Sequence, residues 1–293
     1  MGYQIDSSPK LGYSFVKSTN LLLPEEIGLN LETRTIGKHI LHYREVSSTQ
    51  DVAEELARNG ADEGTVVIAE TQTRGRGRKG REWVSPSEGG IYLSIILRPS
   101  LMPSQIIQIP LIAGVAVSKI IMRVTTLQPG IKWPNDVITG GKKVAGILTE
   151  MSCELDRVNY VVLGIGVNVN TPGSFLAEPT GGIGTSLGDQ CQRLVPRVEF
   201  VQNLLCEFET IYMKFLASGF SSIREEWKKL DNTIGSWVKV SDGEEKVEGK
   251  AIDIDEGGFL LVRQDNGEIK RIVSGDVSYS TSLPPASGKA RPG

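Results

Sequence analysis

Cysteine and histidine are scarce in this chain. The three cysteines among its 293 residues, Cys153, Cys191 and Cys206, show neither paired nor metal-ligand spacing, so the sequence indicates no disulfide framework and no zinc-type cluster. We expect these cysteines to be small buried hydrophobic side chains in a reducing compartment. His39 and His42 lie outside every motif, and we assign them to surface or strand packing.

Long uninterrupted hydrophobic runs are also missing. The most apolar stretch, Ile106 to Met122, is broken by Gln108, Pro110, Ser118 and Lys119, so it favours a core helix over a membrane span. The sequence shows no basic-then-apolar segment of the kind that directs export, and we expect a cytoplasmic protein with no membrane partner. A net charge of -3 argues against a general nucleic-acid binder.

The predicted elements divide the chain into four parts. Residues 1–33 contain a hairpin, from Ile5 to Val16, followed by a linker that begins near Leu21. Residues 34–232 alternate strands and helices. From residue 233 to residue 283 the pattern changes to short strands with tight turns, which predicts a small antiparallel barrel. Residues 284–293 predict a disordered tail.

Periodicity locates the main elements of the second part. A serine-capped helix is predicted from Ser47 or Ser48 to about Arg58, because serine accepts hydrogen bonds from the first free amide groups of a helix. Short β-branched runs predict strands, and a spacing of three to four residues between apolar positions predicts a helix. These rules give strands at Ile40–Val46, Gly64–Glu70, Ile91–Leu97, Val144–Met151 and Tyr160–Asn170, and helices at Pro103–Thr125, Arg197–Ala217 and Ser221–Leu230.

The most distinctive stretch lies between two of these strands. Five cations alternate with three glycines within eight residues, in the order Arg74, Gly75, Arg76, Gly77, Arg78, Lys79, Gly80, Arg81. Glycine lets the backbone approach a ligand closely, and arginine matches the geometry of phosphate and carboxylate groups. The stretch therefore predicts a cradle for a ligand with several negative charges. A solvated basic loop, or a patch for nucleic-acid backbone, stays open from these residues alone.

Two later segments also place charge beside a turn. Lys132-Trp-Pro-Asn-Asp136 combines a cation, a ring and a turn in five residues, although alone it is equally typical of a structural turn. Lys143 directly precedes a predicted strand in which Gly146 leaves room above the sheet. Its ammonium group is expected to reach a bound ligand, whereas Lys142 is expected to face solvent.

The two charged motifs, Gly75 to Trp83 and Lys132 to Asp136, resemble the signature motifs of the biotin protein ligases, and the resemblance extends from about Tyr3 to Tyr279. It implies an α+β fold with a class II aminoacyl-tRNA-synthetase-like catalytic domain, a mixed sheet with helices, followed by an SH3-like β-barrel. It also implies that residues 1–33 hold the remnant of a winged-helix wing. The recognition helices that would precede this wing are missing from the sequence, so DNA binding is not expected.

The implied reaction has two steps. Biotin and ATP give biotinyl-5′-AMP and pyrophosphate, and biotin then passes to a lysine of a biotin carboxyl carrier protein or domain of a carboxylase. Two unit negative charges about 4 Å apart repel by about 4 kcal/mol at an effective dielectric near 20. A site for the first step therefore needs several cations and a divalent metal, so ATP, biotin and Mg²⁺ are the implied ligands. A homodimer is left open.

The resemblance also assigns roles to residues. The implied catalytic residues are Arg78, Lys143 and Asp136, with Asp136 a hypothetical proton acceptor for the carrier lysine. The implied biotin site comprises Ser48, Thr49, Gln50, Gln72, Gly75, Arg76, Gly77, Lys143, Gly146, Gly164 and Gly166, with glutamine at position 50 where the family often has asparagine. The implied ATP and adenylate site comprises Arg78, Arg81, Trp83, Lys132, Asn135 and Asn168. No metal ligand is indicated.

Three other functions are weighed against this one. A lipoate or octanoate ligase would share the catalytic fold. A DNA-binding biotin sensor is disfavoured by the missing recognition helices. A pure binding module is disfavoured by two charged motifs suited to adenylation.

Overall fold

The computed structural model describes residues 4–8, 12–17, 20–87, 89–177, 182–243 and 245–280. The strands are β1 (Gln4–Ser8), β2 (Gly12–Lys17), β3 (Ile40–Val46), β4 (Val66–Gln72), β5 (Ile91–Leu97), β6 (Gly130–Lys132), β7 (Asp136–Thr139), β8 (Lys142–Glu154), β9 (Arg157–Val167), β10 (Trp237–Asp242), β11 (Glu245–Ile254), β12 (Leu260–Arg263), β13 (Ile269–Ile272) and β14 (Asp276–Tyr279). The helices are α1 (Pro24–Gly28), α2 (Thr49–Arg58), α3 (Gln108–Val124), α4 (Gly173–Ala177), α5 (Leu187–Cys191), α6 (Arg197–Ser218) and α7 (Ser221–Leu230).

A seven-stranded mixed sheet forms the centre of the part of the chain before the C-terminal strands, in the order β3-β4-β5-β9-β8-β7-β6. Only β3 and β4 run parallel to each other, and the remaining neighbours are antiparallel. Every residue of β5 is buried, because its apolar side chains alternate between two covered faces. The expected α+β architecture is confirmed.

Helices cover both faces of this sheet. On one face, α3 packs against α6 and α7 in the main hydrophobic core. On the other, α2 forms a smaller core in which Ala53 and Ala57 meet Val67, Ile96 and Val162. This division matters for function, because α2 covers only part of its face and leaves the rest open.

The apolar segment after Pro103, predicted as a core helix, is a core helix in the structure. Pro103–Val124 is long and apolar enough to cross a membrane by composition, but 78% of its most apolar window is buried within the protein. Burial against α6 and α7 accounts for that apolar character without a bilayer.

Strands β10 to β14 form the C-terminal barrel, an antiparallel sheet in the order β13-β12-β11-β10-β14. Four short alternating runs predict strands here, and all four are present: Trp237–Val240, Val247–Asp253, Phe259–Arg263 and Ile269–Val273. The fifth strand, β14, was not predicted, because its sequence Asp-Val-Ser-Tyr contains only one buried side chain, Val277. This unpredicted strand contributes to the site described below.

The amino-terminal hairpin is confirmed, since β1 pairs antiparallel with β2; its predicted turn and the predicted disordered tail, residues 284–293, lie outside the described residues. The linker expected from Leu21 to Gly28 is wrong. That stretch contains α1, with Leu22 and Ile27 fully buried, because its leucine and isoleucine side chains complete the main core.

The expectation for the cysteines is also wrong. Cys153 is exposed, and Cys191 and Cys206 are half-buried. Cys153 lies near the end of the β8–β9 hairpin, beyond the part of the sheet that helices cover, so burial of its small side chain was not enforced.

A buried ion pair joins α1, β4 and α6. Arg197, with no exposed side-chain surface, donates to Glu70 Oε2 at 2.9 Å and to the carbonyl oxygen of Gly90 at 2.9 Å. The other oxygen of Glu70 accepts from the backbone amide of Leu22 at 2.7 Å and lies 3.2 Å from His42 Nε2. His42 therefore packs on its strand, as expected, but in contact with this network.

Candidate active site

A cavity of about 910 Å³ opens on the α2 face of the sheet, where the sheet meets the C-terminal barrel. Three glycines form part of its floor. Gly164 and Gly166 follow Val162 on this face of β9, and Gly146 of β8 is the direct partner of Gly166. Because alternate residues of a strand face the same side, the three glycines form one groove. Its volume is in the range of small-molecule sites.

One end of the cavity presents hydroxyl and amide groups. Ser48 caps α2, its Oγ accepting from the amide of Gln50 at 3.2 Å. The amide of Thr49 donates to Gln72 Oε1 at 2.8 Å, and Thr49 Oγ1 lies 3.0 Å from Ser94 Oγ. These neutral groups suit a ligand with a polar but uncharged head.

The side chain of Gln50 is committed to the sheet. Its Nε2 donates to the carbonyl oxygen of Val162 at 3.0 Å, and its Oε1 accepts from Ser94 Oγ at 3.0 Å. A Cβ atom added to Gly164 would lie 2.6 Å from Gln50 Oε1. The longer amide thus lies directly against the glycine floor, where an asparagine side chain would end sooner.

The arginine loop, Arg74 to Trp83, folds back on itself. The backbone amide of Gly77 donates to the carbonyl oxygen of Arg81 at 2.7 Å, and the backbone amide of Trp83 donates to the carbonyl oxygen of Gly75 at 2.9 Å. A Cβ atom on Gly75 would lie 2.3 Å from the carbonyl oxygen of Trp83, so only glycine fits there. Gly75 is thus a structural residue of the loop and the one predicted site residue that does not line the cavity.

Carboxylates of the chain pair with the cations of this loop. Arg76 contacts Asp51 at 2.5 Å and also Glu150. Arg81 contacts Asp276 at 2.6 Å.

Two more cations of the loop reach the C-terminal barrel. Lys79 Nζ lies 3.1 Å from Asp242 Oδ1. Arg78 donates to Asn135 Oδ1 at 2.9 Å and to the carbonyl oxygen of Gly275 at 3.2 Å. Burial lowers the pKa of Arg78 from its ordinary value, because desolvation disfavours the charged guanidinium.

Trp83 lies directly on the glycine floor. A Cβ atom on Gly146 or Gly166 would come within 2.7 Å or 2.5 Å of its indole ring, and Lys143 Nζ lies 5.3 Å from the ring centroid on a cation–π contact. Its buried Nε1 has no hydrogen-bond partner among the described residues. A ligand placed on these two glycines therefore has to displace the ring.

Lys143 and Asp136 form the charged centre of the cavity. Their Nζ and Oδ1 atoms are 2.6 Å apart, and neighbouring Lys142 is exposed, as expected. Asn135 stabilises the turn between β6 and β7, because its Nδ2 donates to the carbonyl oxygen of Ile147 at 2.9 Å.

Lys132, the last residue of β6, and Asn168, which directly follows β9, both border the cavity. Burial lowers the pKa of Lys132, whose ammonium group lies 5.1 Å from the ring centroid of Tyr279. Asn168 donates through Nδ2 to the carbonyl oxygen of Thr185 at 3.2 Å. Its buried Oδ1 has no partner among the described residues, which leaves an acceptor available to a ligand.

The structure brings the other predicted site residues together along this one cavity. Sequence reasoning missed Ser94 and the barrel residues Asp276, Ser278 and Tyr279, which also line it. Ser94 had a usable signal, since it is a hydroxyl in an otherwise apolar buried strand. The barrel residues had none, because their strand was not recognised.

A divalent metal would find few protein ligands here. No group of three or more histidine, cysteine, aspartate or glutamate side chains able to hold a metal occurs in the described part of the chain. Magnesium is commonly held by one or two carboxylates together with substrate phosphates, and Asp136 meets that requirement.

Comparisons with known proteins agree with this geometry. Residues 42–168 match the biotin/lipoate A/B protein ligase family, and residues 233–279 match the biotin protein ligase C terminal domain. The bifunctional ligase/repressor BirA of Bacillus subtilis is 38% identical over 276 residues, covering 94% of this chain and 85% of the relative. The biotin–[acetyl-CoA-carboxylase] ligase of Mycobacterium tuberculosis is 36% identical over 229 residues, covering 76% and 82%.

A solved structure extends the likeness to three dimensions. The biotin protein ligase from Aquifex aeolicus, in complex with biotin and ATP, superposes with a TM-score of 0.71 at 33% identity, covering 84% of this chain and 100% of that one. By its two matched domains and these relatives, the chain belongs to the biotin protein ligase family.

Proposed function

We propose that this site activates biotin with ATP to biotinyl-5′-AMP, releasing pyrophosphate, and then transfers biotin to a lysine of a biotin carboxyl carrier protein or domain. One observation carries the proposal. A single cavity joins a neutral hydroxyl and amide end, at Ser48, Thr49 and Gln72, to a cationic end at Arg78 and Lys143. The neutral end suits the ureido ring of the vitamin, and the cationic end suits its carboxylate and the phosphates.

In the first step, a carboxylate oxygen of biotin attacks the α-phosphorus of ATP, and pyrophosphate leaves. The barrier contains the repulsion between two anions, which cations fixed beside the reacting atoms reduce. Lys143 lies on β8 beside the three glycines, and Arg78 lies on the arginine loop that lines the same cavity. We propose that these two side chains contact the α-phosphate region, with Arg76 at the carboxylate once its own carboxylate partners are exchanged for the ligand.

In the second step, the neutral amine of the carrier lysine attacks the acyl carbon of biotinyl-5′-AMP, and AMP leaves. A lysine with an unperturbed pKa of about 10.4 must first lose a proton. We propose Asp136 as the acceptor. Asp136 is paired with Lys143 before the reaction. Its role as proton acceptor therefore requires Lys143 to leave Asp136 and contact the phosphate, a movement that the first step requires too.

Magnesium belongs to the proposal as a group held mainly by ATP. Bound there, it would neutralise phosphate charge and assist departure of pyrophosphate. Asp136 is the carboxylate of this chain that would reach it, and the other ligands would be phosphate oxygens and water.

The proposal is tested by incubating the purified protein with biotin, ATP and Mg²⁺ and analysing the mixture by mass spectrometry. Biotinyl-5′-AMP and pyrophosphate are the expected products. A parallel reaction with lipoate tests the neighbouring ligase activity, because the neutral end of the site is built for hydrogen bonding. Lipoyl-AMP formed as fast as biotinyl-5′-AMP would contradict the substrate assignment.

Two further expectations stay predictions, a cytoplasmic location and the lack of DNA binding by this chain, and the homodimer stays open. The two relatives named above differ on DNA binding by their names, since the Bacillus subtilis protein is called a ligase/repressor and the Mycobacterium tuberculosis protein only a ligase. A gel-shift assay with this chain and biotinyl-5′-AMP, over a panel of duplexes, tests the expected lack of DNA binding.

A further inference from the structure

The C-terminal barrel forms part of the cavity wall at its cationic end. Asp276 and Tyr279, both on β14, line the cavity, and Ser241 on β10 lies beside them. Arg78 donates to the carbonyl oxygen of Gly275, which directly precedes this strand. The barrel must therefore hold a fixed position for the cationic end to keep its shape.

Trp133 makes two hydrogen bonds to the barrel. Its backbone amide donates to Thr233 Oγ1 at 2.9 Å, and its indole Nε1 donates to the carbonyl oxygen of Gly258 at 3.0 Å. The side chain is 1% exposed. Gly258 packs closely on α3, because a Cβ atom there would lie 2.6 Å from Leu111, and its amide donates to the carbonyl oxygen of Asp255 at 3.0 Å. The amide of Thr233 donates to Asp231 Oδ1 at 3.0 Å, so backbone hydrogen bonds hold both acceptors at the domain boundary.

The same five-residue motif reaches into the site. Asn135, two residues after Trp133, accepts from Arg78 at 2.9 Å, and Lys132, one residue before it, packs over Tyr279 of the barrel. The segment is short and stiff, because Lys132 and Asp136 are paired across β6 and β7. A displacement of the Trp133 ring is therefore transmitted to the cations beside it.

We propose that Trp133, which borders the cavity with only 1% of its surface exposed, is a positioning residue for nucleotide binding that acts through its indole hydrogen bond to the barrel. This inference rests on the proposed function for its substrates. The neutral end of the cavity, at Ser48 and Gln72, is built by the catalytic domain alone. Loss of the indole donor consequently weakens ATP binding and leaves biotin binding intact.

Trp133→Phe tests the proposal, and Trp227→Phe is its matched control. Both tryptophans are fully buried, but Trp227 Nε1 has no hydrogen-bond partner among the described residues. The two substitutions remove the same atoms, and only one of them removes a hydrogen bond. Leaving a buried carbonyl unsatisfied is expected to raise the KM for ATP about fivefold or more in Trp133→Phe, with the dissociation constant for biotin changed less than about twofold.

Thr233→Val gives a second variant, since it removes the acceptor of the Trp133 amide at nearly constant volume, and it is expected to change the KM for ATP in the same direction. Amide hydrogen exchange across residues 233–279 gives a readout that needs no activity, and it is expected to accelerate in Trp133→Phe and not in Trp227→Phe. Equal effects of Trp133→Phe and Trp227→Phe on exchange and on the KM for ATP overturn the proposal. A wild-type protein that makes no biotinyl-5′-AMP overturns the proposed function instead, and the exchange comparison still decides the role of Trp133.

Discussion

Replacing Glu70 by glutamine should destabilise the catalytic domain far more than its single lost charge suggests. The substitution keeps the shape of the side chain and an acceptor for the amide of Leu22. It leaves Arg197, which has no exposed side-chain surface, as a buried cation without a counter-charge. A charge buried without a partner carries most of its desolvation cost.

The magnitude follows from what Arg197 retains. Breaking a buried ion pair by removing one partner costs about 3–5 kcal/mol, and Arg197 keeps the carbonyl oxygens of Gly90 and Asn20 as acceptors. We therefore expect the lower end, about 3 kcal/mol of the free energy of unfolding. At roughly 2–4 °C for each kcal/mol in a domain of this size, the midpoint of thermal unfolding falls by about 6–12 °C.

Urea unfolding followed by circular dichroism measures the loss, with Glu54→Gln as the control. Glu54 pairs with Arg58 at 3.0 Å on an exposed helix face, where solvent screens the attraction between the two charges. If Glu70→Gln costs no more than Glu54→Gln, Arg197 is solvated or neutralised by another route, and the reasoning on buried charge fails.

Three more changes test the site and its boundary. Lys143→Ala should slow adenylation about a hundredfold or more, measured as pyrophosphate release, whereas exposed Lys142→Ala should leave the rate near normal; a small effect of Lys143→Ala contradicts its role. Trp83→Ala should speed biotin association about tenfold in stopped-flow measurements, because the ring no longer has to leave the glycine floor; an unchanged or slower rate contradicts this. Burial raises the pKa of Asp231 to about 6 from 3.8, so the folded protein binds this proton more tightly than the unfolded chain does. As pH rises through that interval, Asp231 therefore lowers the free energy of unfolding, by at most about 3 kcal/mol. Asp231→Asn should flatten the pH profile of stability there, and an unchanged profile contradicts the role of this carboxyl group.

Local sequence signals were enough for the elements that build the floor of the site. The strands Ile40–Val46 and Ile91–Leu97 occur with the predicted bounds, because a run of β-branched and aliphatic residues bounded by polar ones has few other buried conformations. Ser47 or Ser48 was predicted as a cap for a reason local to that turn, and Ser48 is the N-cap of α2. The glycines of β8 and β9 were predicted as points of close approach, and they form the groove.

Contacts between distant parts of the chain were beyond the sequence. Nothing local to Arg81 indicates that its carboxylate partner is Asp276, which lies 195 residues further along the chain. The helix of Pro24–Gly28 was missed because its apolar residues are too few to show a period, and only the core they complete reveals their place. Such partners follow from how the barrel packs on the sheet, which a single sequence does not encode in any short window.

The carboxylates that hold Arg76, Lys79 and Arg81 have a consequence for selectivity in the cell. A loop with bare guanidinium groups would adsorb tRNA, DNA and other abundant polyanions through non-specific charge attraction. Here each of these three side chains already has an internal counter-ion, so these three cations attract passing polymers less than unpaired ones would. A small anion that enters the cavity can exchange with those counter-ions. Selection between anions then depends on short-range contacts inside the cavity more than on long-range attraction.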